Sequence, residues 1–186
     1  GSLASVLYQI SLDRGLPGYV NLGNCTIAVY CLYIFVEFLI LRGGNHHPDV
    51  TSSNWVFKNN TFTNIRNICV NFAGVDGGSV TGSTASDVGS FLEAIRTAGT
   101  VTISGNTVST ASGCEQYIIY VKNAGGDLTI SGNTVEGNQA DECMRIYESE
   151  NVTVSKNTIQ RCTAGVTMNQ CQSSAVTDNT ISSIST

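Results

Sequence analysis

The sequence VTISGNTV at residues 101–108 decides the predicted fold, because the chain repeats it four more times with small changes. The copies read WVFKNNTF at 55–62, LTISGNTV at 128–135, VTVSKNTI at 152–159 and SAVTDNTI at 174–181. Each copy alternates apolar and polar residues and closes with Asn-Thr and one more apolar residue. A fixed period in the range of roughly 20–50 residues is typical of a stacked solenoid.

The repeated Asn marks the period. It stands at Asn60, Asn106, Asn133, Asn157 and Asn179. The last three steps approximate one period, and the first step is close to two. Asn tolerates the left-handed backbone of a bend, and stacked carboxamides can hydrogen bond to one another. We therefore expect an inward ladder through the last four of these residues, with a structural role.

The repeats have the pattern of strands. Val101 and Ile103 fall on one side of the segment, and Thr102 and Ser104 fall on the other, as in a half-buried strand. A second apolar segment precedes the copies, as FLEAI, YIIYV, CMRIY and GVTMN. Each turn of chain then holds two or three strands that pair with their counterparts about 4.8 Å above and below. The prediction is an all-β fold, a parallel β-helix, and parallel crossovers are almost always right-handed.

Repeats of this form resemble the right-handed parallel β-helix superfamily, the pectate-lyase-like fold, over roughly residues 19–186. Its members include polysaccharide lyases, glycoside hydrolases, sugar epimerases, phage tailspikes and non-catalytic surface proteins. The resemblance implies a carbohydrate-facing protein that is secreted or lies at a cell surface or on a virion. The fold alone does not select one function.

The chain reads as a single domain over residues 1–186. Residues 3–16 have helical spacing of apolar residues and predict a short helix that caps the N-terminal coil. Residues 73–90 are rich in Gly, Ser and Thr and predict an irregular coil or a loop insertion. The apolar run at 26–41 is shorter than the about 20 residues of a membrane helix and contains Glu37, so we expect buried strands and no membrane span.

The net charge and the cysteine spacing limit which ligands and cross-links the sequence supports. A net charge of −5 with only nine Lys and Arg argues against nucleic acid. The seven cysteines show no CxxC spacing, so a zinc site is unsupported. Cys114 and Cys162 align with Ala140 between them, too far apart to bridge. A disulfide between Cys162 and Cys171 stays open, and most of the cysteines are expected to be small buried hydrophobes.

Aligning the second strands stacks their side chains in columns. Two columns are predicted to face inward, namely Leu92, Ile118, Met144 and Val166, and Ala94, Tyr120, Ile146 and Met168. The three columns that alternate with these are predicted to face outward, and they include Phe91, Ile119, Val121 and Cys143. The outer face then offers candidate site residues, namely Glu93, Arg96, Tyr117, Lys122, Arg145, Tyr147 and Glu148. Tyr117 and Tyr147 could stack on sugar rings, with Arg96 as a further polysaccharide contact.

Catalytic alternatives follow from the resemblance. In the lyases of the superfamily a basic residue removes a proton next to a uronate, and Arg145 with Lys122 is the pair that could imitate this. In its hydrolases two carboxylates act as acid and base. Glu93 and Glu148 are the candidates here, but they are two coils apart and offset along the strand, which places them poorly for that role. A solvated face of mixed charge explains the same residues without any activity.

Metal and cofactor sites have weak support. His46, His47 and Asp49 are candidate ligands, but adjacent residues on an extended chain point to opposite sides. No cofactor is expected, and the alternative is a calcium ion bound by Asp76 and Asp87. The sequence thus favours a module that binds a polysaccharide or other glycan along a strand face. A polysaccharide lyase or glycoside hydrolase, and a structural stalk that assembles as a homo-oligomer, are the alternatives.

Overall fold

The computed structural model describes residues 26–28, 40–42, 53–110 and 117–184. These residues form strands joined by tight bends, in the order β1 (Thr26–Ala28), β2 (Ile40–Arg42), β3 (Ser53–Lys58), β4 (Thr61–Thr63), β5 (Ile68–Ala73), β6 (Asp76–Thr81), β7 (Thr84–Val88), β8 (Ser90–Ile95), β9 (Val101–Ser104), β10 (Thr107–Thr110), β11 (Tyr117–Lys122), β12 (Leu128–Ser131), β13 (Thr134–Tyr147), β14 (Val152–Ser155), β15 (Thr158–Asn169), β16 (Ala175–Thr177) and β17 (Thr180–Ser182). The helix predicted over residues 3–16 lies outside the described residues.

Every strand pairing is parallel, which makes the chain a β-helix with three faces. The first face is the six-stranded sheet of β3, β6, β9, β12, β14 and β16. The 11-stranded sheet supplies the other two faces. Its second face holds β1, β4, β7, β10, β17 and the first halves of β13 and β15. Its third face holds β2, β5, β8, β11 and the second halves of β13 and β15, because these two strands continue around a corner.

The repeats are stacked in register, as the sequence predicts. Val108 pairs with Val135, Val135 with Ile159, and Ile159 with Ile181. On the first face Ile130 pairs with Ile103 on one side and with Val154 on the other. The recurring phrases therefore occupy equivalent positions of successive coils.

The interior is a continuous apolar core. The inward residues of β9 and β12 are no more than 1% exposed, and full burial of such side chains contributes about 1.5–3 kcal/mol each. Phenylalanines fill the wider first coils, where Phe57 packs on Phe72 with centroids 5.8 Å apart and Phe62 meets Phe91 edge-on at 6.2 Å. The low content of charged residues follows from this extended interior.

The predicted Asn ladder is confirmed. The Nδ2 group of Asn106 donates to Oδ1 of Asn133, that of Asn133 to Asn157, and that of Asn157 to Asn179, each at 2.9 Å. Ser83 holds the same position one coil earlier, because its N–H donates to Oδ1 of Asn106 at 2.9 Å. This substitution explains why the first Asn step in the sequence spans two periods.

The left-handed residue at this bend is not the ladder Asn, as the sequence had suggested, but the residue before it. Six such residues have φ between 56° and 63°, namely Asn59, Gly82, Gly105, Gly132, Lys156 and Asp178. At each bend the first of two neighbouring residues has the left-handed backbone that turns the chain. The second residue points its side chain, an Asn carboxamide or the Ser83 hydroxyl, into the interior.

Residues 73–90, expected as an irregular coil or a loop insertion, contain β6 and β7. β6 pairs with β3 and β9, and β7 pairs with β4 and β10, so the segment is a coil of the stack rather than an outward loop. Its small residues have a packing reason. A Cβ at Gly78 would lie 3.3 Å from the Phe72 ring and 3.0 Å from the Trp55 carbonyl oxygen.

The disulfide that the sequence left open, between Cys162 and Cys171, is not formed. Cys162 is bonded to Cys143, with a Cα–Cα distance of 5.8 Å, whereas Cys69 and Cys171 are free. Both bonded residues are fully buried. Ala140 is paired with Cys162, as aligned from the sequence, and this register brings Cys143 into reach from the neighbouring coil.

No helix within the described ranges is long and apolar enough to cross a lipid bilayer. The last described coil is the most exposed part of the stack, and its large apolar residues Val176, Ile181 and Ile184 are 45%, 44% and 38% exposed. The residues paired with Val176 and Ile181 in the preceding coil, Val154 and Ile159, are fully buried.

Candidate functional site

The outward columns of the third face differ by one residue from the predicted alignment. Glu93 pairs with Tyr120, Tyr120 with Arg145, and Arg145 with Thr167. Tyr120, predicted to face inward, therefore stands in the outward column. Ile119, predicted outward, is fully buried in register with Leu92.

The error has a physical cause. Near the start of four third-face strands, namely β5, β8, β11 and the second half of β13, two consecutive residues are buried, and the first of them adjoins the corner with the second face. These corner residues are Cys69, Phe91, Ile118 and Cys143, and they are at most 2% exposed. Strict alternation fails there, so Phe91 and Cys143 were also wrongly expected outward. Val121, likewise expected outward, pairs with Ala94 and is buried.

The corrected register brings two tyrosines together. Tyr117 and Tyr120 lie on the same strand, and their rings stack with centroids 4.6 Å apart and planes 23° apart. The Arg145 guanidinium carbon lies 5.8 Å from the Tyr117 centroid. Both tyrosines are partly exposed. We call this surface the tyrosine face, defined by its outward residues Asn71, Glu93, Tyr117, Tyr120, Lys122, Glu142, Arg145 and Tyr147 together with the adjoining corner residue Glu148.

The two cations of the tyrosine face are paired. Arg145 is 3.7 Å from Oε1 of Glu142, and Lys122 is 3.9 Å from Oε2 of Glu148. The Lys122 ammonium also lies 5.2 Å from the centroid of the Tyr147 ring, within range of a cation–π contact. Each side chain in these ion pairs is between 22% and 40% exposed.

Glu93 lies at the other side of the tyrosine pair. Its Oε2 accepts a hydrogen bond of 3.2 Å from Nδ2 of Asn71, and burial raises the pKa of its carboxyl above the usual 4.5. Burial is also the main cause that raises the pKa values of Tyr117 and Tyr120, while the nearby Arg145 lowers them. The tyrosines are therefore neutral hydrogen-bonding groups at physiological pH.

Comparison with known families agrees with this architecture. The family model described as a right-handed beta helix region matches residues 50–186. The chain belongs to the right-handed β-helix family. No curated protein and no solved structure shows a significant match to it.

Two of the predicted site residues lie at a corner of the β-helix rather than on its face. Arg96 and Glu148 have left-handed backbones, with φ of 52° and 47°. They belong to one corner column, in which Asn123 lies between them because the Arg96 N–H donates to Lys122 O and the Asn123 N–H to Tyr147 O. Glu93 is thus separated from Glu148 both along the strand and across coils.

The metal candidates are not brought together in the described part of the β-helix. Asp76 begins β6 on the first face, and Asp87 lies in β7 on the second. In the described ranges no group of three or more His, Cys, Asp and Glu side chains is placed to hold a metal ion. His46, His47 and Asp49 lie outside the described residues.

Three residues of this β-helix site were missed from the sequence, namely Asn71, Tyr120 and Glu142. One signal could have located Tyr120. A buried phenol needs a hydrogen-bond partner, so an inward tyrosine in an apolar column is costly, and a shift of one residue removes the cost. Glu142 follows from that shifted register, because it pairs with Tyr117. Asn71 lies on β5 and pairs with Glu93, so it requires the alignment of an earlier strand.

Proposed function

We propose that this β-helix binds a polysaccharide along its tyrosine face. The observation that carries the proposal is the stacked, partly exposed pair of Tyr117 and Tyr120. Tyrosine supplies a large, rigid and amphipathic contact area at low cost in conformational entropy. The C–H face of a sugar ring is a suitable partner for such a surface.

The repeat of the coils supports a polymer as the ligand. Successive coils present their outward columns about every 4.8 Å along the axis. The polar side chains that flank the tyrosines stand in the same columns, with Glu93 one coil before Tyr120 and Arg145 one coil after it. A linear chain laid along the axis would meet aromatic and hydrogen-bonding groups in turn.

Affinity measurements on three variants test the proposal. Tyr120→Ala should weaken binding at least about tenfold, equivalent to about 1.4 kcal/mol, because half of the stacked platform is lost. Tyr120→Phe should keep most of the affinity, since it keeps the ring. Thr129→Ala on the first face is the matched control and should bind as the wild type does. Equal affinity of all three variants for every glycan of a broad array would disprove the site.

The proposed location is outside the cytosol, in a secreted, cell-surface or virion protein. The support is the disulfide between Cys143 and Cys162, because disulfides persist in oxidising compartments. Polysaccharides of walls, capsules and matrices are met in the same places. Mass spectrometry of the native protein with and without reductant tests the oxidised state.

A second candidate is a glycoside hydrolase in which Glu93 acts as the general acid. Burial raises the pKa of Glu93, as a general acid requires. A lyase has less support, because Lys122 and Arg145 are both engaged with carboxylates.

Release of reducing ends tests this candidate. Glu93→Gln should abolish the release, while Tyr120→Ala should mainly raise KM. Wild-type protein that binds a polymer without cleaving it would leave the binding function and remove the hydrolase.

A further inference from the structure

We propose that the polymer recognised by the tyrosine face is built of neutral sugars and not of uronates. This inference rests on the proposed function, since it specifies the ligand of the same surface. It follows from how the charges of the face are already used.

The two cations beside the tyrosines, Lys122 and Arg145, already form ion pairs within the protein. Carboxylates are recognised in proteins by Arg and Lys groups that are free to make charge-assisted hydrogen bonds. Arg145 is held between Glu142 at 3.7 Å and the Tyr117 ring at 5.8 Å. Lys122 is held between Glu148 and Tyr147. A uronate would have to displace a carboxylate of the protein from each cation.

The tyrosine face also has a hydrogen-bond acceptor that no cation in the described ranges neutralises, the carboxylate of Glu93. No ion pair to Glu93 is found among the described residues, and its carboxylate accepts a single hydrogen bond from Asn71. Oδ1 of Asn71 and Oε2 of Glu142 also have no donor among the described residues, but both atoms are buried and a ligand on the surface does not reach them. The partly exposed carboxylate of Glu93 is therefore the acceptor that a ligand meets, and sugar hydroxyls can donate to it. The carboxylate of a uronate would be repelled by it.

The charge balance points the same way. The face carries Glu93, Glu142 and Glu148 against Lys122 and Arg145, and the exposed Arg96 at the neighbouring corner brings the local sum only to zero. The whole chain carries −5. This surface therefore has no net positive charge to attract a polyanion, while the contact between tyrosine rings and sugar C–H groups does not depend on ligand charge.

The experiment compares a uronate polymer with its neutral methyl ester, which has the same backbone, and with polymers of neutral sugars. Affinities are measured by calorimetry, at low and high salt, for fully methyl-esterified and de-esterified polygalacturonate and for neutral glucan, xylan, mannan and galactan. We expect a neutral polymer to bind at least tenfold more tightly than any uronate polymer, with an affinity that changes less than twofold with salt. Glu93→Gln should raise uronate affinity severalfold, whereas Glu150→Gln, on an exposed bend, should not.

The outcomes separate the two proposals. Tighter binding of a uronate polymer, with a steep loss of affinity in salt, would overturn this inference and leave polysaccharide binding intact. Binding of no polymer at all, neutral or charged, would overturn both. Unchanged uronate affinity in Glu93→Gln would count against the repulsion that the inference invokes.

Discussion

Oδ1 of Asn133 accepts two hydrogen bonds from Asn106, one from its backbone N–H at 3.0 Å and one from its Nδ2 at 2.9 Å. The Asn133 amide in turn donates to Ile103 O at 3.0 Å and to Asn157 Oδ1 at 2.9 Å. One carboxamide therefore links three coils. Because Asn133 is 1% exposed, water cannot replace these partners.

Replacing Asn133 with Ala should lower the free energy of unfolding by about 3 kcal/mol or more, since each buried group left without a partner costs about 1–3 kcal/mol. Chemical denaturation measures the effect. Asn179→Ala is the matched control, because that ladder residue is only partly buried in the last described coil, and it should cost less than half as much. Equal losses would contradict a ladder that gains its strength from burial.

Two glycines should respond differently to a methyl group. A Cβ at Gly126 would overlap the carbonyl oxygens of Ala98 and Gly99, so Gly126→Ala should cost several kcal/mol through strain of the backbone. At Gly132 the space around a Cβ is open, but φ is +63°, so Gly132→Ala should cost only about 1–2 kcal/mol. Thermal unfolding of the two variants compares these costs, and the reverse order would contradict the packing of this bend.

The disulfide should stabilise the fold by about 3 kcal/mol, because it closes a loop with a sequence separation of 19. Adding reductant should therefore lower the denaturation midpoint of the wild type but leave that of a Cys143→Ala/Cys162→Ala variant unchanged. Cys69→Ala, which removes a free buried thiol, should keep the full response to reductant. A wild type that is indifferent to reductant would show that the bond contributes nothing.

Glu93 gives a pH dependence of defined sign. Its pKa in the folded chain is raised by burial above 4.5, so the folded state binds more protons than the unfolded state. Stability then falls as pH rises from the unfolded value through the raised folded value, and the loss is complete above that window. Glu93→Gln cannot ionise. Its Tm should exceed that of the wild type at neutral pH, and the difference should shrink below pH 4.5.

Glu150→Gln serves as the control for that measurement, since it changes the same charge at an exposed position. A wild-type Tm that tracks Glu93→Gln across the whole pH range would mean that Glu93 is solvated as in the unfolded chain.

The fold was predictable because its signal is repeated. The same phrase at Val101, Leu128 and Val152 fixes which residues face inward, and any slip would expose the apolar side of every copy. The Asn column follows from the same spacing. The place of Ser83 in this column could not be predicted, because a hydroxyl replaces the carboxamide there. The structure shows that the Ser83 hydroxyl and the Asn106 carboxamide each accept a hydrogen bond from a backbone N–H of the preceding coil.

The site was less predictable because its register depends on a single residue. Ile118 and Ile119 are both fully buried, so the pattern YIIYVK fits two alignments equally well by hydrophobicity. The choice between them decides whether Tyr120 meets the core or meets Glu93. The disulfide between Cys143 and Cys162 could not be predicted for a similar reason. Cys143 occupies a buried corner position, which simple alternation assigns to the surface.

Coil length varies at one corner only. Ten residues separate Thr107 from Tyr117, but six separate Thr158 from Ala164, whereas the path from Tyr117 on to Thr134 and from Ala164 on to Thr180 differs by a single residue. The extra residues of the sequence therefore fall between β10 and β11, just before Tyr117. Insertions between these two strands should be tolerated, because the strands on either side keep their spacing from coil to coil.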